Sequence, residues 1–503
     1  MFKKCIPTCI FAFSFIIGFW NYLAAIGRGA IDRELFYNSD AVYFPTLAID
    51  ILSRGAHFSE WRLGPALYVF PDMLSIFAIW KMFGDRHLMI WVYGLVQVTM
   101  LVLTVYLIYR ELNHDKRWLR LTGFTVLFLV LGFAALPIDY NLWMQSAFHI
   151  GAYISTLALV WLVLKGFDKP DSKLIRWAQA GILFCILMSD QIIILQFVLP
   201  AIFVFMAMGF LKVIPKADGK RKALFVFLST LVSFAIYKAI SYFTSYYGIK
   251  ADFSVYLSNL QDLIHNSLAF LIIGFLFMIL LFVTLWVMWR RQESNSKTWF
   301  MVMFLLVSMG ATLVILPSQL GAPLRYAFNI VYGPFFFLPV LLDVLFGEKW
   351  TNKALLGASA VLLVWGLDTI QSPQAIANLR TYYPEEVKCL DEKLSSRGIT
   401  QGISGYWDAK RIAYTSHTGL QLAQMNMDEK TYHYWITNKK VFTGKYDFII
   451  AHNSYRPEYE KTVDQITTDF GAPSEIIDCG AYKAMLYPPD LITSKMKSTL
   501  VKK

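Results

Sequence analysis

The chain has 503 residues, of which 56% are hydrophobic and only 16% charged, whereas an average soluble domain is about a quarter charged. Its net charge of +11 calls for no nucleic-acid partner, because a bilayer protein gathers Lys and Arg in its cytoplasmic loops. Walker A, G-x-G-x-x-G, H-E-x-x-H and paired C-x-x-C patterns are missing, which removes the usual support for ATP-driven transport, nicotinamide chemistry and zinc sites.

Apolar runs in chain order predict an all-α polytopic membrane bundle of about eleven transmembrane helices. They lie near 5–26, 87–109, 121–137, 147–165, 174–191, 195–212, 223–246, 267–289, 298–316, 327–347 and 352–370. Lys3 and Lys4 open the first run, which is long enough to span and is followed by no small-x-small cleavage pattern; it reads as a retained span rather than a signal peptide. The 174–191 and 195–212 runs form a tight hairpin with Ser189 and Asp190 at its turn and Pro200 kinking its second half. Basic clusters at Arg110 to Arg120, Lys165 to Arg176, Lys212 to Lys222, Arg290 to Lys297 and Lys349 to Lys353 occupy every second loop. The positive-inside rule makes these loops cytoplasmic, with the amino terminus inside and the carboxyl tail outside.

Residues 1–370 are therefore expected to form the transmembrane domain, with a large outer loop at 27–86. In that loop Asn38 or Ser39 can cap a helix from Asp40 to about Gly55, whose apolar side suggests a surface-lying element or a packing collar. A second apolar helix near 66–83 would reverse every later loop if it crossed, so it is expected to dip into the interface or to re-enter. Residues 371–503 alternate short apolar runs (402–407, 446–452, 481–487) with charged stretches (384–396, 458–470), which predicts a small extracytoplasmic α/β domain. Its two cysteines, Cys389 and Cys479, are expected to pair in that oxidising setting, while Cys5, Cys9 and Cys185 read as inert core thiols.

Chemistry then falls to the scarce ionisable groups at the outer face, where charge beside apolar spans is costly. Asp40 can take a proton from an acceptor or hold a divalent metal; it can equally be a carboxylate favoured at a helix start. Asp190, flanked by apolar spans, is a second catalytic candidate or a plain turn residue. Arg325, beside Tyr326, can grip a lipid phosphate or merely snorkel. Tyr43 and Asp72 are further substrate-binding candidates, and Asp139 and His149 lie at the same face.

These features resemble the GT-C superfamily of membrane glycosyltransferases, of the protein-mannosyltransferase and aminoarabinose-transferase type. The resemblance rests on Asp40 after the first span, on Gly64-Pro65-Ala66-Leu67-Tyr68 leading to Phe83-Gly84, and on Arg325-Tyr326 before Pro334 and Pro339. The run from Asn38 to Pro45 also looks like that of a branch of bacterial membrane proteins. The chain departs from the family pattern where Ser39 and Ala41 flank Asp40 without a second acid, and where Pro65-Ala66 replaces a Pro-Pro pair. The resemblance implies transfer of a sugar from a polyprenyl-phosphate donor to an acceptor at the outer face, with Asp40 as base or metal ligand and Arg325 on the donor phosphate. A transporter or flippase for a lipid-linked or anionic substrate is the rival reading, and a non-catalytic scaffold the third. No Asn-x-Ser/Thr acceptor occurs, which suits a bacterial inner membrane with a periplasmic tail.

Overall fold

The computed structural model describes residues 16, 19–20, 22–29, 32–64, 66–112, 122–123, 144–243, 253–318, 326–347, 353, 357, 373–426, 430–452 and 461–496. The expected spans at 121–137 and 352–370 and most of 5–26 lie outside these residues, as do Cys5, Cys9, Pro65, Asp139 and Arg325.

Among the described residues five helical stretches are long and apolar enough to cross a membrane: Arg86–Leu112, Ile150–Asp168, Lys216–Ala239, Leu271–Arg290 and Ser296–Ser318. The chain is thus a helical membrane protein, although eleven spans are not all represented. The 174–212 hairpin consists of Lys173–Ser189, a wide turn at Ile194–Val198 and Leu199–Phe210. Pro200 has no N–H to give the Gln196 carbonyl, and that carbonyl accepts from the Ser308 hydroxyl instead, at 3.1 Å. The 327–347 run is broken into Phe328–Val331 and Gly333–Phe346, with Pro334 in the first turn of the second piece and Pro339 inside it. Cys185 is exposed on the 173–189 helix, not buried as expected. That helix buries Ile175, Leu183, Ile186 and Leu187, and Cys185 falls off that face.

The outer loop is compact. Asn38 Oδ1 accepts from the backbone of Asp40 at 3.0 Å and of Ala41 at 2.9 Å, so Asn38 is the cap of a turn and the helix proper runs Tyr43–Ser53. Ser39 is occupied elsewhere, its hydroxyl donating to the carbonyls of Tyr406 and Trp407 at 2.6 and 3.0 Å. The apolar stretch near 66–83 is a wide helical turn at Val69–Met73, broken at Phe70, that leads into an α-helix over Leu74–Phe83, about 15 Å of rise for that α-helix against the 30 Å of a bilayer core. Gly84 ends it in the left-handed region at φ 62°, where a side chain would be strained.

The tail contributes β2 (Gln401–Ser404), β3 (Gln421–Asn426), β4 (Thr431–Tyr432), β6 (Phe448–His452), β7 (Glu475–Cys479) and β8 (Tyr482–Leu486), in the spatial order β4-β3-β2-β6-β8-β7. β2 runs parallel to both β3 and β6, and the remaining pairings are antiparallel. Gly402 is required at the β2–β6 contact, because a Cβ there would lie 2.4 Å from the Phe448 ring. The 402–407 run is not all strand. It turns at Gly405 into the helix Tyr406–Thr415, which crosses from β2 to β3. Cys389 on the helix Glu385–Ser395 is bonded to Cys479 on edge strand β7. Replacing both cysteines by serine reopens a 90-residue separation and should cost about 2–4 kcal/mol. The check is apparent Tm with and without reductant: the native protein should lose stability on reduction and the double variant should not respond.

Tail and outer loop are joined through several elements. β1 (Trp61–Arg62) pairs antiparallel with β5 (Thr437–Asn438), Trp61 opposite Asn438. Asn438 also donates to Asp50 at 3.0 Å, and Arg54 reaches the same carboxylate at 2.9 Å. Arg411 forks onto Glu34, and Arg86 donates to the carbonyls of Tyr414 and Ser416 at 2.7 and 2.8 Å. The helix Tyr43–Ser53 is therefore covered by the tail on its Asp50 side and acts as a collar.

Candidate active site

Residues 144–149, the approach to the helix Ile150–Asp168, reach two carboxylates from distant parts of the chain and the backbone next to a third. Ser146 donates to the Ala41 carbonyl at 2.9 Å, beside Asp40. The backbone N–H of Ala147 donates to Asp72 at 3.2 Å, and His149 Nδ1 lies 2.6 Å from Asp190 Oδ2. Ala147 and His149 both hold positive φ, 64° and 66°, a conformation that non-glycine residues keep only where their surroundings impose it.

Asp40 is half-buried and accepts a hydrogen bond from the Tyr406 hydroxyl, a group of the tail. One helical turn beyond Tyr406, on the same face, stands Lys410, 6% exposed. Its ammonium is 5.2 Å from the Tyr406 ring centre and 5.7 Å from that of Tyr43. Burial pushes the Lys410 ammonium down to about 7, with the charge of Asp40 opposing the shift. With its amide turned to satisfy both ends, Gln424 accepts from Lys410 Nζ at 3.3 Å and donates to the His433 and Trp435 carbonyls at 3.2 and 2.9 Å. Tyr43 itself is buried against Phe44 and Trp61, its hydroxyl accepting from the Gly64 backbone at 3.3 Å. Between this helix and the tail opens a cavity of about 300 Å³ whose wall includes Lys410, Asp50, Trp61, Arg86 and Asn438.

Asp72 and Asp190 form the second part of the site. Asp72 is 1% exposed and takes the Tyr93 hydroxyl at 2.7 Å on Oδ1. Its Oδ2 has no hydrogen-bond partner among the described residues. Burial pushes the Asp72 carboxyl up to about 6, the nearby charge of Asp190 adding to it. The turn before Asp72 is pinned to the hairpin mouth, Tyr68 N–H donating to the Ser189 carbonyl at 3.0 Å and Phe70 N–H to the Ser189 hydroxyl at 2.9 Å. Asp190, 3% exposed, caps the backbone of Ile192 at 3.2 Å and holds His149. The Tyr68 hydroxyl is 2.9 Å from His149 Nε2, and the Tyr326 ring centre is 4.7 Å from that of the imidazole. With a proton on Nδ1, His149 donates to Asp190, and the Tyr68 hydroxyl lies within hydrogen-bond distance of Nε2.

Asp40, Asp72, Asp190, Tyr43 and Tyr326 were all visible as candidates; Arg325, next to Tyr326, lies outside the described residues. Tyr406 and Lys410 carried no sequence signal. They are an aromatic and a lysine spaced i, i+4 on a short helix, a pattern common on solvated surfaces. Among the described residues no group of three or more His, Cys, Asp or Glu is arranged to hold a metal. Asp40 meets the Tyr406 hydroxyl and lies within reach of the Lys410 charge.

Lys410 gives the site a pH signature. Between about pH 7 and the ordinary lysine value the unfolded chain keeps a proton that the folded protein has released, so stability rises with pH across that window. Below it the full cost of the buried charge remains. Lys410→Met should flatten this rise and raise the apparent Tm at pH 6, by up to about 4 kcal/mol of stability. Parallel Tm-against-pH curves for the two proteins would count against a buried, titrating Lys410.

No family model and no curated protein matches the chain. Two crystal structures of an oligosaccharyltransferase from Archaeoglobus fulgidus do. The apo form has a TM-score of 0.47 at 12% identity, covering 90% of this chain and 70% of that one. The complex with zinc and sulfate has a TM-score of 0.46 at 11% identity, covering 88% of this chain and 68% of that one.

Proposed function

We propose that this protein is a glycosyltransferase of the bacterial inner membrane, moving a sugar from a polyprenyl-phosphate donor to an acceptor at the extracytoplasmic face. The observation that carries the reading is Asp40: a half-buried carboxylate at the seam of helical bundle and tail, held by Tyr406 and faced by a buried lysine. In this reading Asp40 takes the proton of the acceptor as its nucleophilic atom attacks the anomeric carbon. The bond from that carbon to the phosphate oxygen breaks, and the polyprenyl phosphate departs with the electron pair. Arg325 receives the phosphate charge; Tyr326, the next residue, packs on His149, which is paired with Asp190. Asp72, whose carboxyl burial raises to about 6, carries its charge at neutral pH and loses it as pH falls below that value.

The test is a membrane preparation from a deletion strain and from the same strain carrying the gene, both given polyprenyl phosphate bearing a radiolabelled sugar. Label should leave the carrier and enter a new product only where the protein is present. Label that crosses the bilayer still attached to its carrier would establish the flippase reading instead.

A further inference from the structure

The second cavity of interest lies at the opposite end of the bundle from Asp190. It begins where the helix Ile150–Asp168 ends, 19 residues or about 28 Å from His149. Its volume is about 140 Å³, and Lys169, Ser172, Arg176, Arg221 and Lys222 stand in its wall. No carboxylate lines it. Among the described residues Arg221 makes an ion pair with Asp218 at 3.1 Å, itself 41% exposed, and the charge of Asp218 also reaches Lys222. Arg176 donates to the backbone carbonyl of Asp171 at 3.3 Å, and Lys222 is half-buried with its ammonium 4.8 Å from the Phe167 ring centre. The floor is apolar: Val163, Ile175, Phe205, Phe225 and Val226.

Four like charges around one small space repel unless an anion joins them. Two guanidiniums offer paired donors in the geometry of phosphate oxygens, and the Ser172 hydroxyl adds another. An apolar floor under a cationic rim matches a molecule whose charged group is followed at once by hydrocarbon. We propose that this cavity is a binding site for a phosphate group, carried by an anionic lipid whose first methylenes rest on Phe205 and Phe225. The position is distinct from the proposed transfer site and does not depend on that reading.

The test uses the full chain in nanodiscs of phosphatidylglycerol or phosphatidylcholine, and in zwitterionic detergent with or without inorganic phosphate. Native mass spectrometry should find phosphatidylglycerol retained on the wild type, with affinity about thirtyfold lower in an Arg176→Gln/Lys222→Gln variant. Lys212→Gln/Lys216→Gln removes two charges near the same end but outside this cavity, and should leave affinity unchanged. If the first variant does not purify, Lys169→Gln at the exposed rim gives the same reading. Protection by inorganic phosphate alone supports the phosphate site with free phosphate as its source; protection by phosphatidylglycerol alone supports the lipid. Equal losses in both double variants, or no preference of the wild type for phosphatidylglycerol, overturn the proposal and leave only diffuse surface charge.

Discussion

Asp40→Asn should lower sugar transfer by about 10³-fold while the protein purifies, elutes and melts as the wild type does. The amide keeps an oxygen for the Tyr406 hydroxyl and the same shape between Asn38 and Ala41, so the local structure has little reason to move. What disappears is the lone pair that takes the acceptor proton, and general-base catalysis accounts for roughly 10²–10⁴ in rate. The substitution also removes the charge opposing desolvation of Lys410, so the lysine should release its proton at still lower pH. The measurement is single-turnover transfer from labelled polyprenyl-phosphate sugar, with apparent Tm recorded on the same samples. Transfer within a factor of three of wild type would remove Asp40 from the chemistry.

The second large effect is structural. Gly151 stands in the first turn of the helix Ile150–Asp168, and a Cβ there would lie 2.5 Å from Pro71 Cδ and 2.6 Å from Asp72 Oδ2. Neither neighbour can step aside cheaply. The proline ring is rigid, and Asp72 is held through its other oxygen by Tyr93 and Ala147. Gly151→Ala should therefore cost about 3 kcal/mol, the upper end for overpacking, and release the turn that places Tyr68 against His149. Gly181→Ala is the control. It is also helical, nothing lies within 4 Å of its added Cβ, and it should leave the protein as stable or up to about 1 kcal/mol more so. Equal melting temperatures for the two variants would show that the 71–72 turn yields easily.

The contrast between what hydropathy reveals and what it hides is sharp here. Long apolar runs fall within a few residues of the helices they predict, as at 87–109 against Arg86–Leu112, because a bilayer core demands them. Proline inside such a run is harder to read: at 200 it leaves a continuous wide turn, while the Gly333-Pro334 pair accompanies a break. In the tail, the apolar runs at 446–452 and 481–487 contain β6 and β8, but β3 was missed. Its Gln424 is fully buried in the amide network around Lys410, so its polarity hid its position. The site divides in the same way. Asp40, Asp72 and Asp190 stood out because carboxylates are scarce beside apolar spans. Tyr406 and Lys410 did not, since nothing in a sequence shows which face of a distant helix will dock on which loop.

That docking sets a clock on biosynthesis. Asp40 precedes the tyrosine that holds it by 366 positions, and Trp61 precedes its strand partner Asn438 by slightly more. At ordinary elongation rates the ribosome needs roughly 20–70 s to cover that distance. Throughout that interval the outer loop is already made while the groups that close over it are still untranslated. A chain stopped before residue 406 therefore lacks the hydroxyl that holds Asp40, and one stopped before residue 437 lacks the strand that pairs with Trp61 and Arg62, so the outer loop takes its closed arrangement only once the tail has been made.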